Sequence, residues 1–232
     1  MKVLSLLMLF AVISCQKKNV PQAAEQEGTQ MTPMTYLALG DSYTIGESVS
    51  ESDRWPVQLA ARLNQEGLSF ESPQIIARTG WTTDELREGI SQSTLHPPYD
   101  LVSLLIGVNN QYRGRSVDNF IPQFEYLLEK AIEFAGNDTS RVFVVSIPDY
   151  GVTPFGKQGS PAKIGYEIDA YNAAQKTICE KAGILFYNIT PISRKAADDP
   201  ELVASDGLHP SGKMYREWVD LFLQDVIEQV KP

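Results

Sequence analysis

The chain has 232 residues, 43% of them hydrophobic, a formal charge of −9, and only two histidines and two cysteines. That acidity excludes a nucleic-acid partner. With neither a CxxC nor an HExxH pattern there is no zinc or haem site in view, and no metal or cofactor is expected.

Residues 1–14 hold Lys2, an apolar run from Val3 to Ile13, and Ser14, the layout of a secretory signal and too short to span a bilayer. Val12-Ile13-Ser14-Cys15 is similar to a bacterial lipobox, which implies Cys15 as the lipid-modified first residue of the mature protein; an ordinary small residue beside a cleavage site is the plain alternative. Lipid chains on Cys15 would tether a soluble body, extracytoplasmically, to a bacterial membrane. Residues 15–35 then form anchor and tether, since Gln16 to Thr35 is rich in Gln, Lys, Glu, Pro and Thr and shows no apolar periodicity.

Residues 36–232 suit one domain with a sizeable core. Tyr36 to Leu39 reads as a buried strand, and Gly40 permits a sharp turn that lets Ser42 stand clear of the sheet. Ser42 is therefore a candidate reactive residue, although a serine in this place also serves as a turn former or helix N-cap. A helical stripe from Trp55 to Leu63 ends before Gly67, and a second strand, Ile75 to Ala77, leads into Arg78-Thr79-Gly80. Thr83 to Ile90 forms a helix that Thr82 or Thr83 can cap. The third strand, Tyr99 to Ile106, ends in Gly107-Val108-Asn109-Asn110, before an amphipathic helix from Val117 to Ala135. A fourth strand, Val142 to Ile147, is followed by the Pro148–Gly151 turn, a helix from Lys163 to Ala182 and a fifth strand from Ile184 to Ile189. Cys179, inside the apolar pattern of that helix, reads as a buried free thiol. The last helix runs from about Pro210 to Val230.

Five short strands separated by helices predict a parallel sheet covered on both faces. The expected architecture is a flavodoxin-like three-layer α/β/α sandwich, with its five-stranded parallel sheet in the order 2-1-3-4-5. In that order ligands bind beyond the carboxyl ends of strands one and three, so Ser42, Gly80 and Asn109 meet at one edge. The connection from Thr190 to His209 is long enough to be a functional loop. Asp206 can bond His209 Nδ1 if the backbone turns at Gly207, leaving Nε2 free to take a proton from a serine. The plain alternative for His209 is a surface residue preceding Pro210 in the first helical turn. His96, before Pro97-Pro98 at the start of strand three, lies at the opposite end of the sheet and reads as structural.

Four short motifs thus follow in order: Gly-Asp-Ser at 40–42, Gly80 after strand two, Gly-x-Asn at 107–109 and Asp-x-x-His at 206–209. On these motifs the chain resembles the SGNH hydrolases, the GDSL lipases and esterases, from Tyr36 to about Val230. The resemblance implies Ser42 as nucleophile, His209 as general base and then acid, and Asp206 as the group that orients the imidazole. It also implies an oxyanion hole made by the N–H groups of Ser42 and Gly80 and the side-chain amide of Asn109. Asp41 holds the turn. Asn110 stands where the family often has Asp, a departure that bears on loop geometry. The implied activity is hydrolysis of carboxylic esters on small molecules or polysaccharides through an acyl-enzyme, with acetyl or short-chain esters of carbohydrates foremost. A lysophospholipid or short-chain lipid ester is the alternative, and an inactive glycan-binding lipoprotein a third reading. A phosphate loop at Ser42-Tyr43-Thr44 is disfavoured, because only Gly46 follows and no basic residue comes before Arg54. Tyr43, Trp81, Tyr112 and Tyr150, just past strand ends, are expected beside the site or in the core.

Overall fold

The structure, a computed structural model, describes residues 32–231. The signal-like segment and Cys15 lie outside those residues. The domain begins just before Tyr36: Met34 N–H donates to Ser69 O at 2.6 Å and Thr35 N–H to Asp100 Oδ2 at 2.8 Å.

In chain order the elements are β1 (Tyr36–Gly40), α1 (Ser42–Ile45), α2 (Trp55–Gln65), β2 (Gln74–Ala77), α3 (Thr83–Ser91), β3 (Leu101–Leu105) and α4 (Val108–Tyr112). They continue with α5 (Val117–Phe134), β4 (Val142–Val145), α6 (Pro161–Ala182), β5 (Leu185–Tyr187), α7 (Thr190–Arg194) and α8 (Gly212–Val230). All strand pairs are parallel and the order is β2-β1-β3-β4-β5, as the alternation of strands and helices requires. Three short helices, α1, α4 and α7, arise where turns or loop were expected. The stretch from Thr190 to His209 is thus partly ordered, holding α7 and two 3-10 turns, Lys195–Ala197 and Pro200–Leu202. Among the described residues no helix is long and apolar enough to cross a membrane.

β1, β3 and β4 are buried along their whole length, because apolar helix faces cover both sides of the sheet. Phe143 of β4 meets Trp55 of α2 and Phe222 of α8, while Phe120 of α5 packs with Phe124 of the same helix and with Tyr171 of α6. Cys179 is free and buried among them, and burial pushes its thiol up to about 12, which leaves it inert at neutral pH.

Register does the positioning. Gly40 pairs with Ala77 on one side and Leu105 on the other, so β1, β2 and β3 end level. Gly40 itself must be glycine: a Cβ there would lie 2.5 Å from the Leu105 carbonyl oxygen and collide with Thr44 Oγ1. The backbone of a central strand cannot yield, so Gly40→Ala should lower stability by about 3 kcal/mol. The expected result is a lower urea midpoint at an unchanged denaturant slope.

Candidate active site

Ser42 opens α1, a single turn whose N-cap is Asp41. The Asp41 carboxylate accepts the Tyr43 N–H at 3.1 Å, and Gly46 ends the turn in the left-handed conformation at φ 69°. At the first position of a helix an N–H has no intrahelical acceptor. The Ser42 N–H accordingly has none among the described residues and remains available for a ligand.

Two further donors stand beside it. Gly80, at φ 84°, turns the chain after β2, and its N–H likewise has no acceptor among the described residues. Its carbonyl accepts Arg113 Nη2 at 2.7 Å, which holds the turn against α4. Asn109 Nδ2 donates one hydrogen to Trp81 O at 3.0 Å; an amide nitrogen carries two, so the other is unused. Asn110, fully buried, accepts Thr83 N–H at 3.1 Å and donates to Thr83 Oγ1 at 2.7 Å. The amide at this position therefore ties the loop after β3 to the start of α3, where Thr82 is the N-cap and Glu85 accepts its N–H at 2.9 Å.

The other half of the site comes from the loop before α8. Gly207, at φ 73°, folds the chain back so that His209 Nδ1 lies 2.6 Å from Asp206 Oδ2, while Asp206 Oδ1 accepts the N–H groups of Leu208 and His209 at 2.9 and 3.0 Å. Partial burial works to raise the Asp206 carboxyl, but hydrogen bonds, led by that from His209, outweigh it and hold the group well below the usual carboxylate range. The imidazole and the Tyr43 ring meet in a T-shaped arrangement, with ring centroids 5.7 Å apart.

These parts converge on one pocket of about 190 Å³ lined by Ser42, Gly80, Asn109 and His209. A cavity of about 150 Å³ holds one benzene, so the pocket admits a short acyl group or one ring, and a long chain would have to extend beyond it. Of the four aromatic residues expected beside the site or in the core, Tyr43, Tyr112 and Tyr150 line the pocket, whereas the Trp81 indole packs over Gly89 of α3 and only its carbonyl serves the site. Phe155 lines the pocket too, although its place in the sequence does not single it out. It stands with Tyr112 and Tyr150 in an aromatic wall, with centroids 6.2–6.4 Å apart. The only hint in the sequence is an apolar ring in an otherwise polar, glycine-rich loop. His96 is exposed before β3, away from the pocket.

Residues 38–217 match the model of the family described as GDSL-like Lipase/Acylhydrolase. No curated protein matches the chain by sequence. Among solved structures, the acetylxylan esterase Axe2 from Geobacillus stearothermophilus is similar with a TM-score of 0.63 at 18% identity, covering 83% of this chain and 94% of that one. The lipase/acylhydrolase from Enterococcus faecalis gives 0.62 at 19% identity, with coverages of 86% and 98%. Psychrotrophic esterase EstA from Pseudoalteromonas sp. gives 0.59 at 18%, with 84% and 97%. At these identities the likeness establishes the fold.

A second carboxylate lies under the site in opposite surroundings. Burial pushes Asp41 up to about 7, against the N–H groups of Tyr43 and Gly107, which pull it down. An unfolded Asp titrates at about 3.9, so the folded state holds this proton more tightly. The stability it contributes is complete below that value and is lost as pH rises to about 7. Asp41→Asn keeps an acceptor for the Tyr43 N–H and removes the loss. Its melting temperature should exceed that of the wild type by a margin that widens from about pH 4 to about pH 7 and then levels off.

Proposed function

This chain belongs to the GDSL-like lipase/acylhydrolase family, and we propose that it is a serine esterase in which Ser42, His209 and Asp206 carry out acyl transfer. The observation that carries this reading is the His209–Asp206 pair at 2.6 Å, opening onto the pocket that Ser42 lines. Ser42 Oγ attacks the ester carbonyl carbon while His209 Nε2 accepts its proton, and Asp206 stabilises the imidazolium that forms. The carbonyl oxygen takes up the negative charge and is met by the Ser42 and Gly80 N–H groups and the second Asn109 amide hydrogen. The carbon–oxygen bond to the alcohol then breaks, and the alcohol leaves with the proton from His209. Water, deprotonated by the same imidazole, attacks the acyl-enzyme and releases the acid.

The substrates we propose are acetyl or short-chain esters on carbohydrates. The small pocket supports a short acyl group, and Tyr112, which is 59% exposed, and Phe155 at its mouth offer faces on which a sugar ring can stack. Likeness in fold to an acetylxylan esterase adds to this. A short-chain lipid ester is the second reading, favoured by the apolar side chains of Val108, Leu208 and Phe155 in the lining. We also propose that Cys15 anchors the protein to an extracytoplasmic membrane face, on the pattern Val12-Ile13-Ser14-Cys15.

The purified protein should hydrolyse p-nitrophenyl acetate. Ser42→Ala should abolish this without lowering the melting temperature, and Asn109→Ala should cut kcat about 10²–10³-fold. Equal activity in Ser42→Ala, or no wild-type activity on a panel of acyl lengths and acetylated sugars, would refute the esterase. Higher kcat/KM on acetylated sugars than on short-chain glycerol esters is the result expected for the first reading. Cys15→Ser should move the protein from membrane to soluble fractions; unchanged fractionation would rule out the lipid anchor.

A further inference from the structure

Ser48 has a side chain yet holds φ at 65°, a conformation in which residues with a Cβ are uncommon and which often marks a functional constraint. Its hydroxyl donates to Asp206 Oδ2 at 2.7 Å, across 158 positions of sequence. That is the same oxygen that meets His209 Nδ1 at 2.6 Å. The backbone beside Ser48 is fixed at two further points. Glu47 N–H donates to Ser42 O at 3.0 Å, and the Glu47 carboxylate accepts the hydroxyl of Thr79, the neighbour of Gly80.

An aspartate that orients a histidine must keep its carboxylate plane still while the imidazole gains and loses a proton. The backbone N–H groups of Leu208 and His209 hold only Oδ1, which leaves the carboxylate free to twist about that oxygen. Among the described residues, Ser48 is the one side chain besides His209 that bonds Oδ2. We propose that Ser48 is a positioning residue: its hydroxyl fixes the plane of the Asp206 carboxylate, and through it the imidazole of His209. The left-handed backbone is what aims the hydroxyl at Asp206, so the strain and the hydrogen bond belong to one device. The proposal rests on the esterase reading of the site.

A turn residue and a positioning hydroxyl respond oppositely to two substitutions. Glycine suits φ 65° and has no hydroxyl, whereas threonine keeps the hydroxyl and suits this backbone poorly because of its branched Cβ. For Ser48→Gly we expect a melting temperature at or above that of the wild type, a kcat about 10-fold lower and an unchanged KM, since the misplacement acts on proton transfer and leaves substrate contacts intact. For Ser48→Thr we expect a lower melting temperature with kcat within about 3-fold of the wild type. Wild-type kcat in Ser48→Gly overturns the proposal, as does a folded Ser48→Thr that is as slow as Ser48→Gly. If the wild type hydrolyses no ester the esterase reading falls separately, and the low-field proton resonance of His209 Nδ1 then decides. Broadening in Ser48→Gly with retention in Ser48→Thr supports the positioning role, and an unchanged resonance in both removes it.

Discussion

The level ending of β1, β2 and β3 is the constraint on which the site depends. Parallel hydrogen bonding sets Gly40 between Ala77 and Leu105, and each chain then has only a few residues in which to turn. Ser42, Gly80 and Asn109 fall in those turns and therefore reach the same pocket. A slip of one residue in β1 would turn every side chain of the strand to the opposite face and withdraw Ser42 from its neighbours. The buried apolar residues that fix the register thus also fix the placement of the donors.

The two carboxylates nearest this constellation show how surroundings divide similar groups. Asp41 is fully buried beneath the pocket with one oxygen lacking a partner among the described residues, and burial dominates its ionisation. Asp206 is more exposed and accepts hydrogen bonds on both oxygens, which favour its charge. The chain accordingly maintains an anion next to His209 and disfavours one beneath Ser42. An acid that stays ionised is what an imidazole needs when it takes up a proton.

Much of this was legible in the sequence because it is carried by local pattern. Apolar runs bounded by glycine mark the strands, their alternation with helices dictates the sheet, and Asp206-Gly207-Leu208-His209 holds its own turn. The parts that were not legible depend on contacts between distant segments. By position Trp81 suits either the pocket or the core, and what decides is Gly89, which leaves a space on α3 that the indole fills. The partner of Asn110, Thr83, lies on another crossover, where an amide supplies both a donor and an acceptor. Ser48 carried no signal at all, since nothing in Glu47-Ser48-Val49 announces a left-handed backbone or a bond to residue 206. The helix α7 is invisible in the sequence for a simpler reason: five residues are too few to display a period.

Two of the three rings in the aromatic wall have a different origin from the polar groups they face. Tyr150 and Phe155 come from the loop after β4, which supplies none of the donors and neither member of the Asp206–His209 pair. Only Tyr112, which shares α4 with Asn109, joins the wall to an element that carries one of those groups. Exchanges around residues 150–155 can therefore reshape that side of the pocket while the ends of β1, β2 and β3, which set Ser42, Gly80 and Asn109, stay in register.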